Sequence, residues 1–204
     1  MSQNDEQRFV TPEFAANYVY LDERKVPKDQ GDGSTQKPYW CLTFKAPQDN
    51  PIWDELNEKI EVALVNKFGE VPKKWRTPIK NGDEWEDETF HGCFVLEMKS
   101  QKRKPGVKVY NPDGANEDVT DYDGEVYSGM VCVATARMGA YDNVSKGVNA
   151  YLNNVLKIED GERIGGTTAS AEADFEGYVP GGAGKPKASS KKKKTSSRSE
   201  SPLD

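Results

Sequence analysis

The chain has 204 residues, 35% of them hydrophobic and 30% charged, with a formal net charge of −6, enough for one well-buried domain with long polar loops and too little for two. No run of about 18 apolar residues exists and residues 1–8 lack the apolar stretch of a signal peptide, so the expectation is no membrane span, no secretion and an intracellular location. Cys41, Cys93 and Cys132 form no close pair, which favours a reducing compartment and three small core residues over a disulfide framework.

Residues 1–13 are polar and read as a loose arm. Residues 18–21 and 39–44 carry the β-branched and aromatic runs of two strands, and residues 24–37, rich in Gly, Asp, Lys and Pro, read as the loop between them. Asn50 as N-cap, Pro51 at the first helical position, Asp54 and Glu55 in the first turn and Gly69 as terminator mark the clearest helix. Its apolar stripe is Ile52, Leu56, Ile60, Ala63 and Leu64; Glu55, Glu58, Lys59 and Lys67 fall on the exposed side. Residues 71–89 hold Trp75, Trp85 and an acidic run at 83–88, without a regular pattern. Strand character returns at 94–99 and 107–110, on either side of 100–106, and 111–114 reads as a turn. The longest strand is predicted over 130–141, with Met130, Cys132, Ala134, Ala136 and Met138 on one face and Val131, Val133, Thr135, Arg137 and Tyr141 on the other. Residues 148–158 are its hairpin partner, and 169–175 read as a short helix behind Thr168.

Five or more strands with one interposed helix predict a mainly β domain of the α+β class. An elaborated OB-fold, a five-stranded Greek-key barrel, is the leading form and a general α+β domain the alternative. The expected division is a loose arm over 1–13, the folded domain over 14–179 and a disordered basic tail over 180–204, where Gly, Pro, Ser and Lys replace apolar residues. Residues 185–204 hold seven cations and two anions, net +5, which leaves −11 of the total −6 on residues 1–184. An acidic domain repels duplex DNA at long range, so a nucleic-acid site on it has to be a local cationic groove.

Residues 99–108 hold five cations without a carboxylate: Lys99, Lys102, Arg103, Lys104 and Lys108, with Tyr110 just beyond. Cations for phosphates beside aromatic faces for bases are the usual device for single strands, each stacked base being worth about 1–3 kcal/mol. A solvated hairpin loop is the equal alternative. Arg137, Tyr141 and Tyr151 on the long hairpin are stacking candidates, against ordinary cross-strand packing. Trp40, Trp53, Trp75 and Trp85 read mostly as core or loop anchors. The carboxylates of 83–88 invite a magnesium-dependent nuclease reading, but neighbours crowded into one loop make a poor metal cage and a solvated acidic loop is favoured. His91 has no ligand set for zinc, and no cofactor or metal is expected.

Further motifs carry a resemblance. The Lys-Arg-Lys-Pro-Gly within 94–107, Tyr127-Ser128-Gly129, Ala140-Tyr141-Asp142, Lys146-Gly147-Val148, Leu152-Asn153-Asn154-Val155, Asp160-Gly161-Glu162, Gly165-Gly166 and Ala173-Asp174-Phe175 together resemble the phage OB-fold single-stranded-DNA-binding proteins. The resemblance covers most of residues 15–176. It implies an OB-fold core, coating of single strands during phage replication, recombination and repair, and no catalysis, in the cytoplasm of an infected bacterium. It also implies a surface over 99–108 with Arg137, Tyr141 and Lys146. Single-stranded DNA is the partner implied, with phage or host replication proteins and a second copy of the chain as further candidates, and no membrane. One departure is visible: such proteins commonly end in an acidic tail that recruits partners, whereas this tail is basic up to Glu200. A recombination or annealing protein, and a protein-interaction module whose tail binds an acidic partner, are the competing functions.

Overall fold

The computed structural model describes residues 3–27, 37–120 and 122–164. By compactness the chain divides into Met1–Gly166 and Thr167–Asp204; the second unit, with the expected helix over 169–175, the 179/180 boundary and the basic tail, lies outside the described residues. The first unit runs α1 (Gln3–Glu6), β1 (Arg8–Val10), β2 (Phe14–Ala15), β3 (Asn17–Lys25), β4 (Tyr39–Pro47), α2 (Ile52–Phe68), β5 (Ile79–Asn81), β6 (Cys93–Ser100), β7 (Gly106–Val109), β8 (Glu117–Asp118), α3 (Tyr122–Glu125), β9 (Val131–Asp142) and β10 (Lys146–Glu159). It is mainly β with one long helix.

The sheet order is β1-β9-β10-β6-β4-β3. β9 and β10 form a long antiparallel hairpin, β6 pairs β4 antiparallel, and β10 meets β6 in parallel at Ala150↔Met98 and Tyr151↔Lys99. The small side chains of Cys132, Ala134 and Ala136, all fully buried, let α2 approach β9 closely. Trp53, Leu56, Ile60, Ala63 and Leu64 fill the space between, each large one contributing about 1.5–3 kcal/mol. The Asn50 side chain accepts from the Ile52 N–H at 3.0 Å, so it caps α2 as its sequence position suggests. Gly69, at φ 81°, ends the helix with its N–H on Val65 O.

Two expectations fail. Residues 1–13 are no loose arm over their described part. Arg8–Val10 pairs with Arg137–Thr135 of β9, Phe14 and Ala15 with Cys132 and Val131, and the chain then bends into β3 and pairs with β4. The bend is sealed by Ala16 N–H on Met130 O at 2.9 Å and Gly129 N–H on Ala16 O at 2.8 Å. Residues 8–25 thus bridge β9 and β4, burying Phe9 and Phe14 and fixing Thr11, whose hydroxyl accepts from Ala134 N–H. Polarity hid this because only alternate residues of the segment face inward. Residues 71–89, expected to be irregular, contain β5 on the edge of β6 and 3₁₀ turns at Gly82–Glu84 and Glu88–Phe90.

The stretch from 99 to 108 is explained by register. Tyr151 of β10 faces Lys99, whereas Asn154 faces Gly106. Three residues of β10 therefore span seven of the other chain segment, so residues 100–105 loop out between β6 and β7.

Candidate nucleic-acid interface

One row of residues in register crosses the outer face of the sheet: Arg137, Tyr151, Lys99, Cys41 and Tyr20. The next row, Met138, Ala150, Met98 and Leu42, points into the core and is fully buried. Alternation along the strands therefore puts Arg137, Tyr151 and Lys99 on the opposite side of the sheet from the core.

One groove opens between the end of α2 and the sheet and a second lies on this outer face; Tyr151 of the first and Lys99 of the second are paired across β10 and β6. The first, about 610 Å³, is lined by Asn66 and Lys67 at the end of α2, by Gln101, Lys102 and Arg103 of the looped-out segment, and by Arg137, Gly139, Tyr151 and Asn153. The Tyr151 ring lies over Gly139 so closely that a Cβ there would sit 2.5 Å from Cε2. Arg137 stands 5.3 Å from the same ring and donates to Gln7 Oε1 at 3.3 Å. The second groove, about 820 Å³, is lined by Tyr18, Tyr20, Tyr39, Trp85 and Tyr141, by Lys25, Arg76, Lys80 and Lys99, and by Glu97 and Asn149. Lys99 and Lys25 lie 5.5 and 5.8 Å from the Tyr39 ring, within reach of cation–π attraction.

The two linings together carry eight cations and the single carboxylate of Glu97, although residues 1–184 as a whole are strongly acidic. Glu97 Oε1 accepts from Lys25 Nζ at 2.9 Å and Tyr39 Oη at 3.3 Å. Burial works against charge on Lys25, but the hydrogen bond and the negative charge of Glu97 outweigh it and hold its pKa above the ordinary lysine value. Beneath them the Cys41 thiol is pushed up to about 12 by burial first and then by the Glu97 charge, and Cys132 reaches about 12 by burial alone. Both are buried and un-ionised at neutral pH; Cys132 is a core residue as expected, whereas Cys41 is buried on the outer face of the sheet and Cys93, at the start of β6, is only half-buried.

The candidates from sequence separate into three sets. Lys102, Arg103, Arg137 and Tyr151 line the first groove, and Lys99 and Tyr141 the second. The other four line neither. Lys104 pairs with Asp22 at 2.9 Å and sits 3.9 Å from the Tyr122 ring. Lys108 pairs with Asp118 of β8 at 2.9 Å, Lys146 covers the Phe68 ring at 4.6 Å, and exposed Tyr110 hangs beyond β7 with its N–H on Lys157 O.

Sequence reasoning missed Tyr18, Tyr20, Tyr39, Arg76, Lys80 and Trp85 as groove residues. The signals were present: Tyr18 and Tyr20 alternate, and residues 71–80 hold Lys73, Lys74, Arg76 and Lys80 without a carboxylate. That segment is tied to β10 by Arg76 N–H on Lys146 O and Val148 N–H on Arg76 O, both at 3.0 Å. Tyr18 adopts φ 47°, left-handed and rare for an aromatic residue, at a bulge in β3. Its ring thereby stacks on Phe90 at 5.7 Å, and Trp85 packs on Phe90 at 4.7 Å, walling the groove.

The acidic run forms the back of that wall. Asp83 accepts from Gly92 N–H at 2.6 Å and Gln48 Nε2 at 2.7 Å, and Asp87 accepts from the Thr89 N–H and hydroxyl. These bonds hold both carboxyls below the ordinary aspartate range. His91 lies 3.0 Å from Trp85 O. Among the described residues no three His, Cys, Asp or Glu side chains are grouped to hold a metal, and no helix is long and apolar enough to cross a membrane.

A model of the family described as Enterobacter phage Enc34, ssDNA-binding protein, matches residues 16–183. The chain belongs to this family. A relative, the putative protein p50 of Acyrthosiphon pisum secondary endosymbiont phage 1, is 36% identical over 130 residues, 63% of this chain and 67% of that one. The single-stranded DNA-binding protein from bacteriophage Enc34 matches with a TM-score of 0.64 at 21% identity, over 86% of this chain and 96% of that one. The same protein in complex with ssDNA matches with a TM-score of 0.64 at 23% identity, over 81% and 96%. At these identities the structural likeness is one of fold.

Proposed function

We propose that this chain binds and coats single-stranded DNA, largely without regard to sequence, during phage DNA replication, recombination and repair, and that it does so without catalysis. The observation that carries the reading is the segregation of charge: eight cations and five tyrosines or tryptophans of the second groove, plus Tyr151, line two grooves of an acidic domain beside a single carboxylate. Membership of a family described as ssDNA-binding supports it. Bases stack on Tyr151 in the first groove and on Tyr20 and Tyr141 in the second, while Lys102, Arg103, Lys99, Arg76 and Lys80 take the phosphates.

The domain is read as an elaborated OB-fold. The long strands follow the cyclic order β3-β4-β6-β10-β9, with β3 returning to the start of β9 through Ala16, the arrangement of a five-stranded Greek-key barrel whose face binds oligonucleotides. The basic segment beyond residue 180 is an accessory arm that adds salt-sensitive phosphate contacts, and the infected host's cytoplasm is where such a protein works. Fluorescence titration with oligo-dT and with a matched duplex tests the function, Trp85 being the reporter in the groove. Quenching by oligo-dT at moderate salt with weak response to duplex is expected. Equal affinity for both, or cleavage of labelled DNA in magnesium that disappears in the Asp83→Ala/Glu86→Ala variant, would overturn the proposal.

A further inference from the structure

A carboxylate in a groove built for a polyanion requires a reason. Glu97 is the one acidic side chain lining either groove, it belongs to the tyrosine-lined one, and its side chain is 32% exposed. Lys25 and Tyr39 both bond to Oε1, and an ionised carboxylate offers about four acceptor positions, two on each oxygen, so the capacity of Oε2 for further donors remains. The charge repels a phosphate, so what lies against Glu97 is the edge of a base, with the sugar-phosphate chain displaced toward Arg76, Lys80 and Lys99 on the same groove lining.

In a single strand the base-pairing edges are free to be read. Guanine presents two adjacent N–H donors there, and both can converge on the two acceptor positions of Oε2. Cytosine and adenine present one amino group beside acceptors, and thymine presents its single donor between two carbonyl oxygens that the carboxylate repels. We infer that Glu97 makes the tyrosine-lined groove a guanine-preferring subsite within otherwise sequence-tolerant binding. Tyr20, exposed on the same groove lining, is the ring against which that guanine stacks, while buried Tyr39 holds Glu97 in place. A duplex cannot use the subsite, because its pairing edges are occupied, so Glu97 also adds to the preference for single strands.

The inference rests on the single-strand reading, and the experiment separates the two. Full-length protein is titrated with an oligo-dT and with the same oligonucleotide carrying one central guanine, cytosine or adenine, a single guanine avoiding self-association. The guanine oligonucleotide is expected to bind about tenfold tighter than the all-thymine one, the discrimination of a good bidentate pair, with cytosine and adenine between them. In Glu97→Gln the guanine advantage disappears while thymine affinity holds or rises. A purely structural Glu97 moves all four affinities together, and that result, or equal binding of the four by the wild type, overturns the inference while leaving the single-strand reading intact. Failure of the wild type to bind any of the four refutes the underlying reading instead.

Discussion

The grooves divide the cations of the chain into those that should carry DNA and those that should not, and salt dependence measures the division. Of the eight lining cations, Lys25 is paired with Glu97 and Arg137 is tied to Gln7. Among the described residues the other six, Lys67, Arg76, Lys80, Lys99, Lys102 and Arg103, are in no ion pair. With about −0.7 in log–log salt slope for each phosphate contact on a single strand, six contacts give a slope of roughly −4 from the grooves. Replacing Lys102 and Arg103 by Gln removes about 1.4 from that slope, and at about 0.1 M salt this corresponds to a loss of roughly 25-fold in affinity. Lys108→Gln/Lys146→Gln changes the net charge by the same amount, but those side chains serve Asp118 and the Phe68 ring, so its slope should stay within about 0.3 of wild type. The assay is fluorescence titration with oligo-dT from about 50 to 300 mM salt, using full-length chains so that the basic tail contributes equally to all three. Equal slope losses in the two double variants would mean that overall charge, not the grooves, carries binding.

The N-terminal bridge is tested by Phe9→Ala, which should cost about 3 kcal/mol in urea unfolding because Phe9 is only 3% exposed, whereas Val10→Ala, 56% exposed, should stay within about 0.5 kcal/mol. Comparable small effects would return residues 8–10 to a loose arm. Gly139→Ala should weaken oligo-dT binding about tenfold with an unchanged melting temperature, since its Cβ displaces the Tyr151 ring; undiminished binding would remove Tyr151 from the stacking surface. Asp83, Asp87 and Asp160 are held below the ordinary carboxylate range, Asp160 chiefly by Lys157 and then by the Tyr127 hydroxyl. Their folded pKa values lie below the unfolded ones, so their contribution is complete above about pH 4 and is lost as pH falls through the folded values. The melting temperature should therefore drop steeply below about pH 4, less so in Asp160→Asn; identical acid profiles would exclude Asp160 from the effect.

How much of this was legible depended on whether one element or two had to be known. The alternation of β9 and the caps of α2 are properties of single segments, and both appear in the structure as read. The bridge formed by residues 8–16 was not legible, because β1 and β2 are three and two residues long and their partner on β9 lies more than a hundred positions away. The basic stretch at 99–108 showed its charge but not its directions. Lys102 and Arg103 reach the groove because the chain loops out between β6 and β7, Lys104 turns back onto Asp22, and Lys108 meets an aspartate on β8, a two-residue strand of acidic residues that carries no strand signal. Arg76 and Lys80 were overlooked for the complementary reason: Arg76 owes its position to backbone bonds with β10 and Lys80 to the pairing of β5 with β6, neither of which side-chain pattern encodes.

On the proposed reading, selectivity for single strands would follow from where the negative charge sits, not only from where the positive charge does. Trp85 reaches the tyrosine-lined groove from the loop that carries Asp83, Glu84, Glu86, Asp87 and Glu88. The carboxylates of Asp83 and Asp87 brace the turns of that loop, so the loop cannot shed them without losing the wall that Trp85 and Tyr18 build. In the proposed mode a single strand would meet the groove with one backbone along Arg76, Lys80 and Lys99 and its bases turned toward the rings. A duplex would have to bring a second backbone past the acidic loop, with its bases already stacked and paired and therefore unable to use Tyr20 or Tyr141. Repulsion and lost stacking would act in the same direction, so a chain of net charge −6 would hold one strand of DNA in preference to two.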